Sequence, residues 1–213
     1  MKKLLALAMA LVMVLAMAAC GGETPASSQA SSAESASEPA SEPASETAPE
    51  SGSEAAPAGD EVPATVPDVT VTDVLFTPPE GFTQAEDGSM VYTAEDGSNI
   101  QVQFQDVETA GLSTATDTQQ LAADMEAELE SQFSEMVGED VDVTISECSL
   151  VAVDGMPGIR VATSYNLAGV PVSQLSYTIS ADGIYTFTFT QMGDAGWMDA
   201  FEASAQTIDF VTE

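Results

Sequence analysis

Along the C-terminal part of the chain, hydrophobic and polar positions alternate in short runs. Ile100, Val102 and Phe104 fall on one side of such a run and Gln101, Gln103 and Gln105 on the other, the period-two signature of a half-buried strand. Val141, Val143 and Ile145 alternate in the same way, then slip near Glu147, which predicts a bulge before Leu150 to Val153. Ile159-Val161-Thr163-Tyr165 and Leu175-Tyr177-Ile179 repeat the pattern, and Ile184 to Thr190 shows it most regularly. Val71 to Phe76 is a further strand, ended by Pro78-Pro79-Glu80-Gly81. Ser89 to Thr93 and Ser98 to Asp106 read as a hairpin. Each is introduced by the same pentapeptide, Ala-Glu-Asp-Gly-Ser at 85–89 and 94–98, and Asp-Gly is strong turn chemistry. Asp154 to Gly158, Ala168-Gly169 and Ala181-Asp182-Gly183 mark the turns between later strands.

Two stretches carry a helical period instead. Asp117 is placed to cap a helix, with Gln120 three residues on in a capping-box arrangement. Leu121, Met125, Leu129, Phe133 and Met136 then form an apolar stripe as far as Gly138, opposite Asp124, Glu126, Glu128, Glu130 and Glu135. A second helix is expected from Ala195 to Gln206, with Trp197, Phe201 and Ala205 on one side, and Ile208 and Phe210 finishing as a short edge strand. The order of strands, helix, antiparallel meander and helix predicts an α+β fold: an antiparallel sheet of six to seven strands packed with two helices. The rings of Tyr185, Phe187 and Phe189 are expected under a helix, because three adjacent exposed rings would invite association.

Three segments carry a family resemblance: Phe76-Thr77-Pro78-Pro79-Glu80-Gly81-Phe82, Gly155-Met156-Pro157-Gly158, and Tyr185-Thr186-Phe187-Thr188-Phe189 followed by a helix with Phe201, Ala205 and Ile208. Over roughly Leu75 to Val211 the chain resembles the PsbP-like domains, shared by extrinsic photosystem proteins, a Ran-binding nuclear import factor and many bacterial lipoproteins. The resemblance implies a PsbP-like sandwich. That family has no common catalytic motif, so the resemblance implies shape and no chemistry.

The N-terminus reads differently. Met1-Lys2-Lys3 is a cationic start, Leu4 to Met17 is uninterruptedly apolar, and the small Ala18-Ala19 precede Cys20 and Gly21-Gly22. The apolar run is shorter than the roughly 20 residues of a spanning helix. Met17-Ala18-Ala19-Cys20 resembles the bacterial lipobox, with Met where Leu is usual. The resemblance implies cleavage before Cys20 and a lipid on its sulfur, and two or more acyl chains anchor stably where one does not. A plain secretory signal that ends at a cysteine is the competing reading.

From Gly21 to Val66 the chain is almost wholly Ala, Ser, Glu, Pro and Gly, with Ser-Glu-Pro-Ala repeated at 37–40 and 41–44. Such a segment has too little apolar surface to offset its ordering entropy, so it is expected to be a disordered spacer. At about 3.1 Å per residue it reaches at most on the order of 140 Å. The expected organisation is a leader over 1–19, lipidated Cys20 and spacer over 20–66, and one α+β domain over 67–213.

Candidate chemistry is sparse. There is no histidine, which removes Ser-His and Cys-His pairs and nearly every catalytic zinc arrangement. Cys148 is the one cysteine besides Cys20; it reads as a small buried hydrophobe, with a reactive thiol as the alternative. No phosphate-cradling glycine loop is present, and no cofactor is expected. Loss of the leader takes Lys2 and Lys3, leaving Arg160 as the only basic side chain against 35 acids. That balance argues against nucleic acid as a partner and favours a soluble, monomeric domain. Arg160 reads as a strand residue paired with neighbouring acids, or alternatively as an anchor for a carboxylate ligand. Weak calcium binding is open at Glu86, Asp87, Glu95 and Asp96, or at Glu139, Asp140 and Asp142, although neither group has EF-hand spacing. A carboxylate pair acting as a glycosidase is the enzymatic alternative. The leading expectation is a non-catalytic binding or structural module on the extracytoplasmic face of the cell membrane. Its lipid on Cys20 would hold the membrane, and its partner would be an envelope protein, a wall component or a small ligand.

Overall fold

The computed structural model describes residues 61–213. The leader, Cys20 and most of the spacer lie outside the described residues. The elements run β1 Val71–Leu75, β2 Thr83–Gln84, β3 Val91–Thr93, β4 Asn99–Gln105, α1 Thr118–Val137, β5 Val143–Val153, β6 Met156–Leu167, β7 Val170–Ser180, β8 Ile184–Met192, α2 Met198–Ala205 and β9 Asp209–Thr212. Seven strands form one antiparallel sheet in the order β2-β3-β4-β8-β7-β6-β5, while β1 and β9 pair apart as a two-stranded ribbon. The α+β class, an antiparallel sheet of seven strands and the two helices are as expected from the pattern, although the two-residue β2 is a strand the pattern did not show. The placement of the ends is not. Ile208 and Phe210 do not add an edge to the sheet. Instead Asp182 accepts from the Val71 amide at 3.0 Å and Asp154 from the Phe210 amide at 2.9 Å. These two acids bind the ribbon, so that Phe210 meets Tyr185 with ring centres 5.2 Å apart.

Helix α1 begins where Asp117 Oδ1 accepts from the amides of Gln119 and Gln120, each at 3.1 Å. The reciprocal half of the expected capping box does not form, because the Gln120 amide turns along the helix to Asp124 at 2.7 Å. Gly138, at φ +76°, supplies the left-handed stop. Leu121, Met125, Leu129 and Phe133 are buried, but Met136 is 46% exposed. Continuing the stripe by four residues from Phe133 leads to Val137, which packs in its place. Helix α2 is shorter than the expected Ala195 to Gln206, since Gly193 and Gly196 both adopt positive φ ahead of it. Trp197 stands at its N-cap, with its ring on Phe82 at 5.1 Å.

The bulge falls between Ile145 and Glu147, as the slipped alternation predicts. Asp154 and Gly155 alone make the β5–β6 turn, with φ of +49° and +74°, and Met156, Pro157 and Gly158 already belong to β6. Two positive φ values suit the twist of a tight hairpin. Gly183 is needed for a different reason: a Cβ there would strike the Phe104 ring and stand 2.6 Å from the Gln105 carbonyl oxygen. Ordered contacts also begin before Pro67. Thr65 bridges Ser113, and Val66, 5% exposed, donates its amide to Leu112 at 2.9 Å.

Candidate functional site

Cross-strand partners share a face, so the register divides the sheet into two unlike surfaces. One presents Leu175, Tyr177 and Ile179 from β7, Tyr185, Phe187 and Phe189 from β8, and Ile100 from β4. Helix α2 and the ribbon cover this face, with Phe201 5.4 Å from Phe189 between ring centres. The expectation that the rings of β8 lie under a helix is met at Phe189, whereas Phe187 packs on Phe76 and Tyr185 on Phe210 of the ribbon.

The opposite face is chemically uniform in another sense. Three consecutive rows across β7, β8 and β4 read Gln174–Thr190–Asn99, Ser176–Thr188–Gln101 and Thr178–Thr186–Gln103. All nine side chains are uncharged and hydrogen-bonding. Polar side chains on the far side of a half-buried strand are ordinarily solvent-facing. Here they are covered: Thr186, Thr188, Thr190, Gln101 and Gln174 are all buried.

What covers them on one side is α1. Its Leu121 and Met125 pack on Val161, Ile159, Ile145 and Cys148 of β5 and β6. The helix is fastened to the edge of β5 by its own polar residues. Glu126 accepts from the Ile145 amide at 2.9 Å, Glu130 from Val143 at 3.4 Å and Ser134 from Val141 at 2.9 Å. These acceptors sit four residues apart on α1, and Glu126 and Glu130 belong to the flank assigned to solvent by the sequence pattern. They satisfy amides that an edge strand would otherwise leave open to pairing. So fixed, α1 leaves a cavity of about 40 Å³ between Leu121, Met125 and Leu129 and the floor of Ser176, Thr186 and Thr188. A second cavity of about 110 Å³ adjoins it through Ile159 and Thr178, roofed by Val66, Leu112 and Thr114. Among the described residues, no ionisable side chain lines either cavity.

Within the rows some bonds are made. The Gln174 amide donates to Thr190 Oγ1 at 3.1 Å and the Gln103 amide to Gln101 Oε1 at 3.4 Å. Two buried polar atoms of the described residues have no protein partner, Thr186 Oγ1 and Asn99 Oδ1, and both belong to this face. Leaving such a group without any partner costs about 1–3 kcal/mol.

The residues singled out from sequence lie elsewhere. Arg160 is on the aromatic side, donating Nε–H to the Tyr177 hydroxyl at 3.2 Å and pairing through its Nη atoms with Glu147 and Glu202. The reading of Arg160 as paired with acids is therefore the one the structure has, and both its carboxylate-binding edges are occupied. Burial works against its charge, but the bonds from Glu147 and Glu202 outweigh it and raise its pKa. Burial likewise acts to raise Glu147, yet Arg160 holds that carboxyl below its ordinary value. Tyr177 is pushed up to about 12, first by burial and then by the Glu202 charge. Cys148 is half-buried against the α1 cluster, and burial followed by the Glu147 charge pushes its thiol up.

The two candidate calcium groups do not assemble. Among the described residues no three acidic side chains come together to hold a metal ion. Asp87 turns back to the Ser89 amide at 2.9 Å, and Asp96 accepts from the Ser98 amide and from Trp197 Nε1 at 2.6 Å. Those bonds lower both carboxyls, Asp87 chiefly through Ser89 and Asp96 chiefly through Trp197. Glu139, Asp140 and Asp142 are exposed.

The uncharged face was missed in the sequence, although its signal was there. In a segment with twenty-six acids from Pro67 onward, the middle stretches of three strands carry Thr, Ser, Gln and Asn opposite their core positions and no charge.

No family model matches the chain, and no curated protein does. Among solved structures, it is similar to the solution structure of cyanobacterial PsbP (CyanoP) from Synechocystis sp. PCC 6803. The identity is 13%, the TM-score 0.47, and the match covers 73% of this chain and 100% of that one. A crystal structure from Bacteroides thetaiotaomicron VPI-5482 matches at 12% identity and a TM-score of 0.38, over 69% of this chain and 49% of that chain. Similarities of this size leave the reading of the site to the chain's own residues.

Proposed function

We propose that the chain is a lipid-anchored protein of the cell envelope whose folded part is a non-catalytic binding module. The anchor reading rests on the apolar run that stops at Ala18-Ala19-Cys20-Gly21. The module reading is carried by one observation: among the described residues, those lining the two adjoining cavities include no ionisable side chain. General acid–base and nucleophilic catalysis need a titratable or activated group within hydrogen-bond reach of the substrate, and this cleft offers none. Glu147 and Glu202 are both bonded to Arg160, and Glu147, held below its ordinary value by that partner, is a poor general acid.

Two measurements test this. Cys20→Ser should abolish labelling by a fatty-acid probe and release the protein from the membrane fraction; labelling that survives the substitution refutes the anchor. The purified protein should turn over no member of a chromogenic glycoside panel. Turnover that disappears on replacing one acidic residue would establish the hydrolase reading instead.

A further inference from the structure

Resting on the binding-module reading, we propose that the outer edge of β5 receives an extended segment of another protein, antiparallel to β5 and alternating aliphatic with basic residues. That edge is only half closed. The acceptors of α1 stop at the Ile145 amide, and no strand lies on the outer side of β5. Beyond the bulge the ladder to β6 is set by the two-residue turn, which makes Val153 and Met156 its closing pair. Ala152 then stands opposite Pro157, which has no amide to give. Alternation from there turns the amides and carbonyls of Cys148, Leu150 and Ala152 outward. No backbone group of the described residues meets them, and all three residues are half-buried, so the edge is open to a partner.

The residues beside an added strand select its side chains, while main-chain bonds hold it. Cross-strand partners share a face, so guest residues opposite Cys148, Leu150 and Ala152 fall on the side where Cys148 joins the α1 cluster. Aliphatic side chains suit that side. The ends of the open section are acidic. Glu147 and Asp154 bracket it, both exposed, and Glu126 follows along the edge at Ile145. Arg160 is shared between Glu147 and Glu202, so that group keeps a negative charge. Basic side chains in the guest complement these carboxylates. The rest of the domain strengthens the preference, with twenty-six acids from Pro67 onward against Arg160 alone. A second copy of the chain brings the same carboxylates to the same edge, and like charge opposes that pairing.

The test is fluorescence anisotropy of a labelled nine-residue peptide alternating lysine and valine, titrated with the whole chain in neutral detergent. Binding should saturate, and the counterpart with glutamate for lysine should bind at least about tenfold more weakly. Two methylated peptides separate strand pairing from charge. A guest residue directly opposite Leu150 both shares its face and bonds to it, so the valine amides are the ones in use. N-methylation of the valines should weaken binding at least about tenfold, and N-methylation of the lysines no more than about threefold. In the protein, Ala152→Pro removes an outward amide that the sheet does not use. It should weaken binding about threefold to tenfold, the loss expected for one hydrogen bond, at an unchanged unfolding midpoint. Ala152→Val, which keeps the amide, should bind within about twofold of wild type. Equal binding of the two methylated peptides would mean charge attraction without strand pairing, and equal binding of the glutamate peptide would remove the charge selection; either overturns the proposal. So would a chain that elutes as a dimer and is made monomeric by Ala152→Pro, which assigns the edge to a second copy. If Cys20-dependent labelling holds and no glycoside is turned over while no peptide binds, the partner fails and the anchored-module reading stands.

Discussion

Replacing Glu126 by Ala removes the acceptor that α1 offers to the Ile145 amide. The bond is 2.9 Å long and lies between a half-buried helix residue and the open edge of β5. A hydrogen bond to a charged group contributes about 1.5–3 kcal/mol when water is excluded, but Glu126 is partly exposed, so water can replace part of what is lost. Alanine is the better helix former by a few tenths of a kcal/mol, which offsets a little more. The expected net loss is about 1 kcal/mol. Ser134→Ala removes an equivalent bond to Val141, also at 2.9 Å, eight residues further along α1. At about 1.5 Å rise per residue the two sites are some 12 Å apart, far enough to add, so the double variant should lose about 2 kcal/mol. Urea unfolding followed by far-ultraviolet circular dichroism reads this as a lower midpoint at unchanged slope. Glu126→Gln keeps an acceptor oxygen and should stay within about 0.5 kcal/mol of wild type, as should the exposed Glu135→Ala. The reasoning fails if Glu126→Ala is indistinguishable from Glu135→Ala, or if Gln at 126 is as costly as Ala. Size-exclusion chromatography adds a second readout, since the double variant frees edge amides and should self-associate more at high concentration.

Phe201→Ala empties the contact of α2 with Phe189 and Phe82 and should cost about 3–5 kcal/mol in the same urea assay. Arg160→Met leaves Glu147, Glu202 and Tyr177 without their shared cation; because both acids are partly exposed, a loss of about 1–3 kcal/mol is expected rather than the larger cost of a sealed ion pair. At alkaline pH the tyrosines decide the slope. Unfolded tyrosine titrates near 10, whereas Tyr165 and Tyr177 are each pushed up to about 12, chiefly by burial. The unfolded chain therefore releases its protons first, and stability should fall from about pH 10 towards pH 12; a flat profile across that window would contradict the burial of both rings. Cys148, with its thiol pushed up, should react with iodoacetamide at pH 7.5 more slowly than a free cysteine, as followed by peptide mass mapping.

The strand and helix inventory was legible because period and turn chemistry are local. Alternation at 100–105 and 184–190, the Asp-Gly turns, the Asp117 cap and the slip at Glu147 each concern a few neighbouring residues, and each has its counterpart in the structure. Local pattern also set which side of each strand is apolar. The long-range partners were not legible. Asp182 with Val71 and Asp154 with Phe210 join residues 111 and 56 positions apart, and these bonds turn an expected edge strand into a separate ribbon. Likewise the acids of α1 looked like a solvated face, and only the crossing of the helix over the β5 edge gave Glu126 and Glu130 amides to hold.

The site itself divides along the same line. That Thr186, Thr188, Gln101, Gln103, Gln174 and Ser176 point away from the core is written in the alternation of their own strands. That they form one continuous uncharged floor depends on strand order and register, which set β4 against β8, strands separated in the chain by α1 and three other strands. That the floor is covered rather than wet depends on where α1 comes to rest. Sequence alone determined the elements and the two kinds of face, because side-chain direction follows from backbone period. Tertiary structure alone decided the cleft, because a cavity is a relation between elements distant in the chain.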